Sequence, residues 1–223
     1  ALSRWHHPAL GHVSPVEFID AAERIGMIKP LTEWVLFNAC RYALTWKQQG
    51  FPGLRVAVNI SPSHFLDAEL VSLVKRVIEE TGIEPGQLEL EVTESVVQTN
   101  SENLAVFSEL KSLGILLAID DFGTGYSSFA SLKHIEVDCL KIDKFFIDDM
   151  LNDRKTELLV ASMVEIGHNL GHSIVAEGVE EAAQLTVLEK MGCETIQGYL
   201  FSKPTDADSV LELMKSGFAN PGS

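Results

Sequence analysis

Several short apolar runs in this chain end in side chains that can do chemistry. They are Asn59 after VAV, Glu91 and Glu94 in LELEVTES, Asp120 and Asp121 in ILLAIDDF, Lys141 and Asp143 in CLKIDKFF, Glu177 and Glu180 in SIVAEGVE, and Gln197 in ETIQGYLF. A single carboxylate at a strand end is ordinarily solvated or caps the next helix. Asp120 and Asp121 together are different, because adjacent like charges repel unless something positive lies between them. With Glu91, Glu177 and Asn59 they make an oxygen-rich donor set free of His and Cys, which selects Mg2+, Mn2+ or Ca2+ over zinc. Lys141 would neutralise part of such a cluster and hold a water or a phosphate oxygen; its plainer reading is a structural salt bridge. The set suits metal-assisted hydrolysis of a phosphate ester, with two cations about 4 Å apart.

The elements that position these residues follow a repeating pattern. Pro15 to Gly50 reads as helical, and the stretch Gly50, Pro52, Gly53 breaks it. Strand-like LRVAVNIS, LELEVTES, ILLAIDDF, CLKIDKFF, SIVAEGVE and ETIQGYLF then alternate with helices. The helices are expected over Phe65–Thr81, Ser101–Leu113, a short piece near Tyr126–Leu132, Lys155–Asn169, Ala182–Met191 and Asp206–Lys215. Short apolar strands alternating with helices imply a parallel sheet covered on both faces. Polar groups at six successive strand ends favour a TIM-like (β/α) barrel, whose C-terminal mouth carries the site. A Rossmann sheet would show GxGxxG after a strand, and none is present. No linker interrupts the pattern, so residues 1–223 are read as one domain.

Composition narrows the function. The chain has 223 residues, 46% of them hydrophobic, with a formal charge of −15. That charge argues against binding duplex nucleic acid, which wants a basic stripe, yet bound cations would let an acidic pocket accept an anion. No apolar run is long enough to span a bilayer. Three scattered cysteines (Cys40, Cys139, Cys193) suit a reducing cytoplasm and buried thiols. His64, His134, His168 and His172 read as surface or helix-end residues. Trp34, Phe37, Tyr42 and Trp46, near helical spacing, read as core.

ALSRW, PVEFIDAAERIGMI, VAVNIS, LEVTES, DDFGTGYSS, LKIDKFF, VAEGVE and QGYLFSKP together resemble the EAL-type cyclic di-GMP phosphodiesterases. The resemblance runs through almost the whole chain. It implies a β/α barrel whose first strand is antiparallel to the rest, and hydrolysis of cyclic di-GMP to linear pGpG with Mg2+ or Mn2+, two per site. Asn59, Glu91, Asp120, Asp121 and Glu177 then correspond to metal ligands, with Asp120 as the bridge. Lys141 corresponds to the catalytic lysine, and Glu177 doubles as a base. Glu94 corresponds to the anchor of the DDFGTGYSS loop. Asp143, Glu180 and Gln197 correspond to groups that support the ligands or position water, and Gln197 also faces the substrate. Arg4 resembles a phosphate-contacting arginine, and Pro15 and Phe18 are read as the floor of a guanine pocket. The motif that names the family survives only as Ala1 and Leu2, so the chain is read as N-terminally truncated, without the first strand.

The resemblance further implies a homodimer, a cytoplasmic location (or the cytoplasmic part of a membrane-anchored protein), and sensory or cyclase domains in the parent. The alternative function is a catalytically inactive module that binds cyclic di-GMP and signals to a protein partner. An aldolase-like Schiff base at Lys141 would need a neutral amine, whereas neighbouring carboxylates hold an ammonium charged.

Overall fold

In the computed structural model, the described residues are 1–65, 67, 69–97, 101–125 and 135–217. In chain order the strands are β1 (Trp5–His7), β2 (Gly11–Val13), β3 (Val56–Ile60), β4 (Leu88–Thr93), β5 (Leu116–Phe122), β6 (Cys139–Ile142), β7 (Ser173–Ala176) and β8 (Thr195–Ile196). The helices are α1 (Pro15–Arg24), α2 (Ile28–Gln48), α3 (Pro62–Phe65), α4 (Glu69–Thr81), α5 (Glu94–Val97) and α6 (Ser101–Ser112). They continue with α7 (Lys144–Asp149), α8 (Arg154–Asn169), α9 (Ala182–Lys190) and α10 (Ala207–Ser216). Strands β3 to β8 form one sheet in chain order, and β1 and β2 form a separate antiparallel pair. Each described pairing within the larger sheet is parallel.

The chain divides into two compact units, and the first comprises Ala1–Val92 and Ser101–Leu116. Its helix α1 begins with a capping box between Ser14 and Glu17 and has Pro15 in its first turn, where a missing N–H costs nothing. Gly26, at φ 73°, separates α1 from α2. Helix α2 buries Thr32, Leu36, Ala39, Cys40 and Ala43 and packs on α4 and β3. Helix α4 turns Leu70, Leu73, Val74 and Val77 inward, an i, i+3, i+4, i+7 stripe. Strands β3 and β4 run in register from Val56↔Leu88 to Ile60↔Val92.

The second unit comprises Thr93–Asn100 and Leu117–Ser223. All four residues of β6 are buried, as a strand covered on both faces requires. Helix α8 lies on β6, β7 and α7 and buries Val160, Met163 and Val164. Asp153 caps it, its carboxylate accepting from the backbone N–H of Lys155 and Thr156.

Three readings of the sequence are corrected. Trp34 is 61% exposed and Tyr42 is exposed as well, while Phe37 and Trp46 are half-buried. Helix α2 carries two stripes at helical spacing, and the one of smaller residues faces inward; periodicity alone does not choose between them. His64 and His172 are buried, not superficial, and His172 Nδ1 lies 2.9 Å from the carbonyl oxygen of Val137. The strands expected in SIVAEGVE and ETIQGYLF stop at Ala176 and Ile196, which leaves Glu177 and Gln197 one residue beyond their strands. The helix expected near Tyr126–Leu132 and the reading of His134 lie outside the described residues.

Candidate active site

Strand β5 brings two successive carboxylates toward one place. Side chains on a regular strand alternate between faces, but the register with β6 shifts between Ile119 and Phe122, and such a bulge re-aims a side chain. Asp121 takes φ 55°, a left-handed conformation that Asp tolerates better than most residues. The turn is held by Thr124, whose N–H and hydroxyl both donate to the Asp121 carbonyl, at 3.2 and 2.8 Å. Carboxylate oxygens of Asp120, Asp121 and Glu177 all lie within 4.8 Å of one another.

Lys141 projects from β6 and is only 4% exposed. Its ammonium lies 2.5 Å from Glu177 Oε1 and 3.3 Å from Asp120 Oδ1. The pairing of β6 with β7 sets this geometry: Ile142 is opposite Ala176, and the N–H of Glu177 donates to the Ile142 carbonyl at 3.0 Å. The next loop thereby starts on the lysine's own strand. Partial desolvation pushes the carboxyl of Asp121, an exposed residue, up to about 6, and the charges of Asp120 and Asp143 and a hydrogen bond with Asp143 add to it, against Lys141. A small space holding that many carboxylates is electrostatically suited to a cation.

Four further residues named by the resemblance, Glu94, Asp143, Glu180 and Gln197, are each held by hydrogen bonds. Glu94 is buried, and its Oε2 accepts from the backbone N–H groups of Gly123 and Gly125 at 3.0 and 3.1 Å. Gly123 sits at φ 96°, and a Cβ there would lie 2.5 Å from Met163 Cε and 2.9 Å from the Phe146 ring; only glycine fits. Asp143 caps α7, accepting from the N–H of Phe145 at 2.8 Å. Glu180 accepts from Lys144 Nζ at 3.0 Å. The backbone of Gln197 pairs with Ala176 and Val179, while its side chain is exposed.

In the first unit, Asn59 and Glu91 are opposite each other in the β3–β4 register, and Asn59 Nδ2 donates to Glu91 Oε2 at 2.9 Å. Phe18 is buried with Trp5 edge-on to it, ring centroids 6.1 Å apart. Pro15 opens α1 beside them in sequence, and exposed Arg4 donates to the Ser3 carbonyl at 2.9 Å. Lys144 and Gln184 carried no expectation; the E-x-x-Q spacing at Glu181–Gln184, a capping-box pattern, was the one available signal for the second.

Comparison with known proteins decides the family, because the model of the EAL domain matches residues 1–204. The chain belongs to the EAL domain family. It is 40% identical over 212 residues, 95% of its length, to MucR of Pseudomonas aeruginosa, a bifunctional diguanylate cyclase/cyclic di-GMP phosphodiesterase. Identity is also 40%, over 97% of the chain, to the cyclic di-GMP phosphodiesterase NbdA of the same organism. These alignments cover 31% and 28% of the two relatives, so the EAL domain described here spans less than a third of their length. The solved MucR phosphodiesterase in complex with c-di-GMP superposes with a TM-score of 0.89 at 39% identity, covering 93% of this chain and 84% of that one. With the parallel six-stranded sheet and its flanking helices, this shows the α/β, TIM-like fold class. Among the described residues, no helix is long and apolar enough to cross a membrane.

Proposed function

We propose that this EAL domain hydrolyses cyclic di-GMP to linear 5′-pGpG in a metal-dependent reaction. One observation carries the reading: a buried lysine tied to Glu177 and Asp120, beside three carboxylates whose oxygens converge within 4.8 Å. The relatives named as cyclic di-GMP phosphodiesterases supply the substrate. Asp120, Asp121 and Glu177 fit Mg2+ or Mn2+, since all their donors are hard oxygens and their mutual repulsion is otherwise only partly offset by Lys141. Asn59 and Glu91 are assigned as further oxygen ligands, and two cations per site, on the family resemblance. Bound cations would polarise the phosphoryl group and lower the pKa of water.

The protein's own residues do the rest. In the overall reaction a water oxygen bonds to phosphorus, the P–O3′ bond breaks, and a proton passes to the departing O3′. Lys141 neutralises one of the converging charges and fixes the directions in which Asp120 and Glu177 point. Glu177, 2.5 Å from that ammonium, is assigned on the family resemblance as the base that takes the proton from water. Glu94 holds the Gly123–Gly125 backbone and so orders the turn that follows Asp121. Arg4 and Gln197 are assigned to the substrate's phosphates and polar edges, and Pro15 and Phe18 to the floor of a guanine pocket. We further place the domain in the cytoplasm, as a homodimer within a longer signalling protein.

The test is turnover of cyclic di-GMP with Mn2+ or Mg2+, followed by chromatography for pGpG. Metal-dependent appearance of pGpG is the expected result. Tight binding of cyclic di-GMP without turnover, at any metal concentration, would move the assignment to a sensing module.

A further inference from the structure

The loop that carries Glu177 is fastened on its far side by residues outside the carboxylate cluster. Gln184, at N3 of α9, is only 3% exposed and uses both ends of its amide. Its Oε1 accepts from the backbone N–H groups of Glu180 and Glu181 at 2.8 and 2.9 Å. Its Nε2 donates to the Ile147 carbonyl of α7 at 3.1 Å. Helix α7 begins three residues after Lys141, so one buried amide connects the two chain segments that bear Lys141 and Glu177. Lys144 makes a parallel connection, with Nζ 3.0 Å from Glu180 Oε1 and 3.4 Å from the Gly178 carbonyl. Gly178, at φ 72°, lies against the Lys144 stem so closely that a Cβ would overlap it. Between these points Val179 is fully buried, its N–H donating to the Gln197 carbonyl at 3.0 Å. Glu177 therefore leaves β7 into a loop held at Gly178, Val179, Glu180 and Glu181.

A capping amide is ordinarily local to its own helix. The bond to Ile147 makes this one more than a cap, because helix capping does not require it. We propose that Gln184 is a positioning residue for the metal site, holding Glu177 at the separation from Lys141 and Asp120 that cation binding needs, with Lys144 as its partner. This rests on the reading of Asp120, Asp121 and Glu177 as metal ligands. Groups that orient ligands without touching the metal are worth about 10- to 100-fold in affinity or activity when removed, and Gln184 meets that description at one remove.

The experiment is Mn2+ titration of the metal-stripped protein, read by calorimetry well below the unfolding temperature and, separately, by the metal-induced rise in Tm. Gln184→Leu removes all three hydrogen bonds at similar volume, and the Mn2+ dissociation constant is expected to rise about tenfold or more. Gln184→Glu keeps the oxygen that receives both N–H groups but loses the donor to the Ile147 carbonyl, so its Mn2+ affinity is expected to stay weakened, and full affinity would show that capping alone suffices. Lys144→Met, on an exposed side chain that threatens the fold little, is expected to weaken Mn2+ a few-fold, and it decides the matter should Gln184→Leu not fold. A folded Gln184→Leu protein that binds Mn2+ like the wild type, or an unaltered Lys144→Met where the leucine variant does not fold, overturns the proposal. Absence of Mn2+ binding in the wild type would instead refute the metal-site reading beneath it.

Discussion

Asp121 is the residue at which the chemistry of the site is most exposed to experiment. Its carboxyl is pushed up to about 6 from the ordinary 3.8 because partial desolvation, Asp120 and Asp143 all penalise the charged form. An acid whose folded pKa is raised leaves stability untouched while it is protonated in both states, below about pH 4. Stability then falls as pH climbs from there through 6, because the unfolded chain ionises first. In EDTA, Asp121→Asn is therefore expected to unfold at a higher temperature than the wild type at pH 7.5, with the advantage gone at about pH 4; calorimetry across that range checks it. Excess Mn2+ should reverse the order at pH 7.5, since ligand at a hundred times its dissociation constant adds about 2.7 kcal/mol to the form that binds it. Lys141 and Asp120 answer a different question. Lys141→Ala and Asp120→Asn are expected to cut turnover at least 100-fold, on the scale of losing one group aimed at developing charge. A near-normal rate in either folded variant would remove that residue from the mechanism.

At the scale of elements, the site depends on where strands stop and how the loops after them are pinned. Gly198 shows the tightness: a Cβ there would fall on the backbone of Val179, which is itself bonded to Gln197 and Leu200. Gly198→Ala is expected to cost about 1–3 kcal/mol in urea unfolding and to lower Mn2+ affinity by shifting the Glu177 loop; unchanged values for both would show that this loop yields freely. Glu94→Ala should lower the midpoint as well as slow turnover, because two backbone N–H groups lose their acceptor. Much of this layer was readable beforehand. Alternation of apolar strands and amphipathic helices yielded the sheet, and polar strand ends pointed to Asp120, Asp121, Lys141 and Glu177. The three-way use of the Gln184 amide was not legible, because it depends on how residues far apart in sequence meet; the left-handed turn at Asp121 is local, held by Thr124, but falls on a non-glycine residue that gives no signal of it. Helix α2 was misread for a related reason: two faces share one period, and only packing reveals that Leu36, Ala39, Cys40 and Ala43 lie inside while Trp34 and Tyr42 lie outside.

For the molecule as a whole, the charge of −15 would set the terms on which the proposed anionic dinucleotide arrives. The net field repels such a substrate, and a repulsive field slows encounter most at low ionic strength, where the screening length is about 30 Å at 0.01 M against about 8 Å at 0.15 M. Enzymes that attract charged substrates lose rate as salt rises; this domain should gain it. With Mn2+ held saturating, kcat/KM for cyclic di-GMP is expected to rise a few-fold between those two salt concentrations, while kcat, which reports the filled site, stays level. Stopped-flow or initial-rate measurements at sub-saturating substrate separate the two. A fall in kcat/KM with salt would mean that the local field of the cation-filled carboxylate cluster, rather than the acidic surface, governs approach.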